Sequence, residues 1–183
     1  MSESNVRALL RRRLKDLHAK SIENRCERGT PDMCYIYGWI ELKWVRAWPA
    51  RNGIVRLPHY TIQQRLWLNK HWTLRGRAFL GLVAAKEWFL WAGCDASPVG
   101  FLTREQLYST CLWHSKTWNE NSFRKIINAE RSQLDWLRKE KGLCDSALLN
   151  DFSLTAVVGA KTSTKQQQDA GLVTTGMSNV SEE

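Results

Sequence analysis

Val6, Leu10, Leu14 and Leu17 recur at helical spacing, with Arg7, Arg11, Arg12, Lys15 and Asp16 between them, so the chain begins as an amphipathic helix. Ala19 to Glu23 then reads as a short strand. Arg25 to Thr30 reads as a polar loop in which Gly29 permits close backbone approach before Pro31. From Asp32 the period changes to two. A strand is expected over Asp32 to Ile36, a turn at Tyr37-Gly38 and a second strand over Trp39 to Val45, with Ile36 opposite Trp39 and Cys34 opposite Glu41. Ile40, Leu42 and Trp44 form one apolar face; Asp32, Cys34 and Ile36 share the other with Trp39, Glu41 and Lys43. A slip of one residue would separate Asp32 from Glu41 and Lys43 and bury the charged set, which the alternation disfavours.

A basic loop, Arg46 to Asn52, and a strand-like run, Gly53 to Leu57, lead to Thr61. This residue N-caps a helix, Ile62 to Trp72, whose Ile62, Leu66 and Trp67 are expected to face the sheet. Arg77 to Ala84 and Glu87 to Trp91 read as two further strands, the helix being a right-handed crossover to a parallel neighbour. The expected architecture is α/β, an αβββαβ core with a mixed sheet over residues 1–92. Gly93 to Gly100 reads as a boundary, followed by a helical extension over 93–150 packed on the core. There Thr103 opens a helix with Gln106 at the capping-box position, and Asn121 or Ser122 opens a longer one to about Lys141. Phe123, Ile126, Ile127, Leu134 and Leu137 form its apolar face. Residues 151–183, rich in Ser, Thr, Gly and Gln from Ser153 onward, are expected to be a flexible polar tail.

Charge narrows the partner. The 183 residues carry a formal net charge of +9. The tail is acidic, with Lys161 and Lys165 against Asp151, Asp169, Glu182 and Glu183, so the folded body is more basic than the whole. Such an excess favours a polyanion, nucleic acid above all. Arg11, Arg12, Arg28, Arg46, Arg51, Arg65, Lys116, Arg124 and Lys125 are the expected DNA contacts. Cys26, Cys34, Cys94, Cys111 and Cys144 form no CxxC and no paired Cys/His spacing, which argues against a zinc ribbon or a disulfide framework. No charged leader and no apolar run of membrane-spanning length is visible, so no membrane and a cytoplasmic location are expected. Most of the 10 tryptophans fall in predicted strands or the crossover helix and read as core.

The chemistry gathers at the hairpin. Two carboxylates on one face, Asp32 and Glu41, repel one another unless a cation sits between them. All-oxygen ligation suits Mg2+ or Mn2+ rather than zinc, and Lys43 on the same face can hold or deprotonate a water beside such an ion. Glu3, three positions before Val6, points inward at the helix start, where a carboxylate is either a cation ligand or an ordinary N-terminal acid. No organic cofactor is indicated.

Gly29-Thr30-Pro31-Asp32 followed by Trp39-Ile40-Glu41-Leu42-Lys43 resembles the PD-(D/E)XK nuclease superfamily, more narrowly its small phage-type members near the VRR-NUC and Holliday-junction-resolvase branches. The likeness covers roughly the first half of the chain. It implies a restriction-endonuclease-like core and a metal-dependent DNA endonuclease, encoded by a phage and acting in the host cytoplasm, that leaves 5'-phosphate ends on branched or site-specific duplex DNA. A non-catalytic DNA-binding or phage assembly protein on the same fold is the alternative. The resemblance makes Asp32 and Glu41 metal ligands with the Leu42 carbonyl beside them, and Lys43 the catalytic lysine. Glu3 or Glu23 is the auxiliary glutamate, and Gln64 the glutamine near the scissile phosphate. With a single ExK, one chain makes one cut, so double-strand cleavage implies a homodimer.

Overall fold

The computed structural model describes residues 2–23 and 29–143. Arg28, Cys26, Cys144 and the polar tail 151–183 lie outside the described residues. Eleven regular elements follow in order: α1 (Glu3–Arg13), β1 (Lys20–Ser21), β2 (Met33–Tyr35), β3 (Gly38–Val45), α2 (Ile62–Thr73), β4 (Ala78–Ala84), β5 (Glu87–Ala92), α3 (Arg104–Thr110), β6 (Trp113–Ser115), α4 (Glu120–Asn128) and α5 (Arg131–Glu140). The strands form one six-stranded mixed sheet in chain order. Every neighbouring pair is antiparallel except β3 and β4, which are parallel because α2 carries the chain across between them. The protein is therefore α/β, with α1 preceding three strands and α2 preceding the fourth.

The sheet separates two apolar layers, as the period-two pattern of β3 and β4 requires. On one side Val6 and Leu10 of α1 and Leu14 at its C-cap pack with Met33, Ile40, Leu42, Phe79 and Leu90, and with Phe123, Ile127 and Leu134 from α4 and α5. On the other, Leu68 of α2 packs with Leu80, Leu82, Phe89, Trp91 and Leu107. The helical extension thus shares the core's first layer, and β6 lengthens the core's own sheet.

Several expectations are corrected. The hairpin pairs Tyr35 with Gly38, Cys34 with Trp39 and Met33 with Ile40, a register two residues from the expected one, with Ile36 and Tyr37 exposed at the turn. Gly38 belongs to the strand because a Cβ there would lie 2.2 Å from the Arg77 carbonyl, which accepts from the Trp39 N–H at 2.9 Å. A shift of two keeps every side chain on its expected face. The inner face of α2 is Arg65, Leu68 and Trp72, while Ile62 and Leu66 are exposed. The strand expected over Ala19 to Glu23 shrinks to Lys20–Ser21, and Gly53 to Leu57 contributes only a bridge between Ile54 and Thr103. The long C-terminal helix is two, split at Ala129-Glu130. Asn119 caps the first through Ser122 N–H, and a Glu130/Gln133 capping box opens the second.

Candidate active site

Asp32 immediately precedes β2 and is tied to the edge strand by Ile22 N–H donating to its carbonyl at 2.8 Å. Continuing the β2–β3 register sets Asp32 opposite Glu41, and the hydrogen bonds agree. Asp32 N–H donates to Glu41 Oε2 at 3.2 Å, and Leu42 N–H donates to Asp32 Oδ2 at 3.0 Å. Strand alternation brings Lys43 to the same side as Glu41, with its Nζ 2.6 Å from Glu41 Oε1. Glu41 has no exposed surface and Lys43 is 5 % exposed, whereas the Asp32 side chain keeps 17 %. The cluster opens to solvent at Asp32.

Gln64 reaches the same carboxylate for a local reason. It is the third residue of the capping box that starts α2, so its Oε1 accepts from Thr61 N–H at 3.0 Å while Thr61 Oγ1 accepts from Gln64 N–H. With the oxygen held by the cap, the amide nitrogen turns toward the sheet and donates to Glu41 Oε1 at 2.6 Å. Gly29, at φ +95°, lets the chain entering Pro31-Asp32 close against this turn; a Cβ there would sit 2.7 Å from the Gln63 carbonyl.

A buried acidic pair must be compensated. Burial pushes the Glu41 carboxyl up to about 8, the Asp32 charge pushes in the same direction, and the Lys43 ammonium opposes both. Arg7 of α1 supplies the second cation, its guanidinium 2.7 Å from Asp32 Oδ1 and 3.6 Å from Glu3 Oε1. Three carboxylates, Glu3, Asp32 and Glu41, thus face two cations. All four oxygens of Asp32 and Glu41 accept a hydrogen bond; Glu41 Oε1 takes two, from Gln64 and Lys43, while the other three each have one within the protein.

No family model, curated protein or solved structure matches the chain. What the site can do follows from its own residues. Among the described residues no group of three or more His, Cys, Asp and Glu side chains is arranged to hold a metal. The donor set nevertheless fits a hard divalent ion: Mg2+ is commonly held by one or two carboxylates and keeps several waters, and two carboxylates with an excess acid beside them meet that need. Zinc sites favour nitrogen and sulfur ligands, which Asp32 and Glu41 do not supply.

Of the residues expected at the site, Asp32, Glu41, Lys43 and Gln64 touch one another, and Glu3 joins through Arg7. Leu42 contributes its N–H to Asp32. Glu23 is exposed just beyond β1. Arg7 was not anticipated. Its only sequence signal is its place beside Val6, one helical turn after Glu3, where an i, i+4 pair borders the apolar stripe.

The expected DNA contacts divide. Arg11 and Arg12 line a shallow groove with Lys15, His18 and Lys20, and Arg46, Arg51, Lys116 and Lys125 are exposed. Arg65 is turned inward instead. Its guanidinium donates to the carbonyls of Ser97, Val99 and Tyr60 and lies 4.0 Å from the centre of the Tyr60 ring, so it holds a loop to α2. Arg124 pairs with Asp16 at 2.7 Å and Glu120 at 3.1 Å, tying α4 to the end of α1. No described helix is long and apolar enough to cross a membrane.

Proposed function

We propose that this protein is a metal-dependent DNA endonuclease of the PD-(D/E)XK type, hydrolysing phosphodiester bonds with Mg2+ or Mn2+. The observation that carries the reading is the convergence of Asp32, Glu41, Lys43 and Gln64 at the join of β2, β3 and α2. Three of these are the residues of the PD and ExK strings. The order α1, three strands, α2 and a strand parallel to β3 is also what the resemblance implies for a restriction-endonuclease-like core.

A divalent ion at Asp32 and Glu41 would supply charge neutralisation at the phosphoryl oxygens and lower the pKa of a bound water. Asp32 and Glu41 hold that place. Lys43 Nζ, fixed on Glu41 in a nearly dry setting, orients the attacking water and favours its hydroxide form. Gln64 locks Glu41 from the helix side and leaves the approach from Asp32 open. Glu3, which reaches Asp32 through Arg7, acts by way of that arginine rather than as a metal ligand, and is better placed for the auxiliary role than exposed Glu23. The basic groove and exposed arginines hold the DNA backbone.

The second reading, a non-catalytic DNA-binding or phage assembly protein on the same fold, draws on one observation: every carboxylate oxygen of Asp32 and Glu41 already has a partner within the protein. One experiment separates them. Purified protein is incubated with plasmid, linear duplex, single strands and a four-way junction, each with Mg2+, Mn2+ or EDTA. Metal-dependent cutting that disappears in Asp32→Ala and Glu41→Ala supports the nuclease. DNA binding without cutting on any substrate supports the alternative.

A further inference from the structure

We propose that Arg7 is a displaceable counter-ion: it neutralises Asp32 until a divalent cation takes that position, then moves to Glu3 and to a phosphate oxygen of the substrate. The substrate half of this statement rests on the nuclease reading. The counter-ion half rests on geometry alone.

Asp32 has two oxygens with different captors. Oδ2 accepts from the Leu42 N–H, a main-chain donor that cannot leave without disturbing β3. Oδ1 accepts from Arg7, a long side chain rooted on a different element and about a quarter exposed. Only Oδ1 can be released by a side-chain movement. A destination for that movement is already in place, because Glu3 Oε1 lies 3.6 Å from the same guanidinium nitrogen one helical turn away.

Arg7 also carries a donor without an acceptor. Its Nε is buried and, among the described residues, meets no hydrogen-bond acceptor. A guanidinium presents its donors as a rigid fork suited to carboxylate and phosphate oxygens, so a buried unused N–H beside an acidic pair marks a position where an anion completes the set. A phosphate bridging to a cation at Asp32 is an anion of the right chemistry in the right place.

Competition gives the inference its sign. If Arg7 and a divalent ion contend for Asp32, removing Arg7 tightens metal binding, while a residue that merely holds the site together would weaken it on removal. The test is calorimetric titration of Mn2+ into the full chain without DNA. Arg7→Gln is expected to bind Mn2+ about tenfold more tightly than wild type, which corresponds to ~1.4 kcal/mol. Glu3→Gln, which deprives the displaced guanidinium of its refuge, is expected to weaken Mn2+ binding in the wild-type background and to leave it unchanged in Arg7→Gln. Equal or weaker affinity in Arg7→Gln overturns the proposal, as does an equal loss from Glu3→Gln in both backgrounds, which would make Glu3 a direct ligand. Should Arg7→Gln not fold, the wild-type Arg7 Nε–H resonance serves instead: it must shift on saturation with Mg2+, and an unchanged resonance overturns the proposal. Absence of Mn2+ binding to any variant also overturns it. The same Mn2+ shifts in a protein that neither binds nor cuts DNA would sink the nuclease reading and leave the counter-ion assignment standing.

Discussion

Two buried charge clusters among the described residues differ in how their charges are matched. Asp95 and Arg138 form a two-bond pair in which both guanidinium contacts are short, 2.6 and 2.7 Å, a further N–H of Arg138 reaches the Leu143 carbonyl at 3.2 Å, and Asp135 lies 3.8 Å from the same guanidinium. Fork and carboxylate satisfy one another, and the pair fastens α5 to the turn after β5. The cluster around Glu41 is unbalanced: three carboxylates face two cations, the most buried of them is pushed far from its ordinary value, and Arg7 keeps a buried donor unused. A matched pair holds a fold, whereas on the proposed function an acidic excess with a spare donor would receive a cation and an anion from outside.

The sharpest way to break this contrast is to cut both clusters and read activity and stability separately. Asp32→Asn and Glu41→Gln are expected to abolish DNA cleavage without lowering the melting temperature, since the amides keep the shape of the carboxyl groups and carry no charge for burial to penalise. Asp95→Ala is expected to cost ~3–5 kcal/mol by taking from the buried Arg138 guanidinium its short two-bond carboxylate partner. The molecules still folded would cut at the wild-type rate. If denaturant unfolding shows Glu41→Gln to be as destabilised as Asp95→Ala, both clusters are structural and the distinction fails.

Lys43→Ala comes next, with an expected fall in turnover of about 10²–10⁴-fold, the range for a group that handles a proton in the transition state. Mn2+ binding measured by calorimetry should persist. Loss of binding together with activity would make the lysine a support for Glu41 rather than a partner of the water.

The raised Glu41 value predicts a pH dependence with a definite sign. Between its ordinary value of 4.5 and about 8 an unfolded glutamate has lost its proton while the folded one retains it. The folded state then binds more protons, so stability falls as pH rises through this window, by up to a few kcal/mol. Chemical denaturation in EDTA should show that decline in wild type and a flatter profile in Glu41→Gln. Parallel profiles would contradict the assignment of the shift to Glu41.

How far the site was readable depends on how local each contact is. The alternation Ile40, Leu42 against Glu41, Lys43 is written directly in β3, and the Thr61-x-x-Gln64 spacing announces the cap that aims Gln64. The hairpin register was two residues off because Gly38 serves β3's close approach to Arg77, a contact between segments far apart in sequence. Arg65 reads as surface because charge is its only local signature; the three carbonyls that receive it come from loops that no periodicity connects to α2. Arg7 was passed over for the same reason. β6, three residues long, falls below the length at which alternation can be recognised.

The smallest expected effect separates surface arginines from inward ones. Arg11→Ala should lower the dependence of DNA affinity on salt by roughly one contact, a change of about 0.9 in the slope of log K against log salt. Arg65→Ala should leave that slope unchanged and reduce stability instead. Equal slopes for wild type and Arg11→Ala would remove the groove beside α1 from the DNA-binding surface.

The central claim, that Asp32 and Glu41 are a divalent-metal site, is tested most directly by crystals grown or soaked with saturating Mn2+ and measured for anomalous scattering. The account predicts a peak within about 2.0–2.5 Å of an oxygen of each carboxylate, with the Arg7 guanidinium withdrawn from Asp32 toward Glu3. A cluster without a peak, with Arg7 still seated on Asp32 Oδ1, would contradict it.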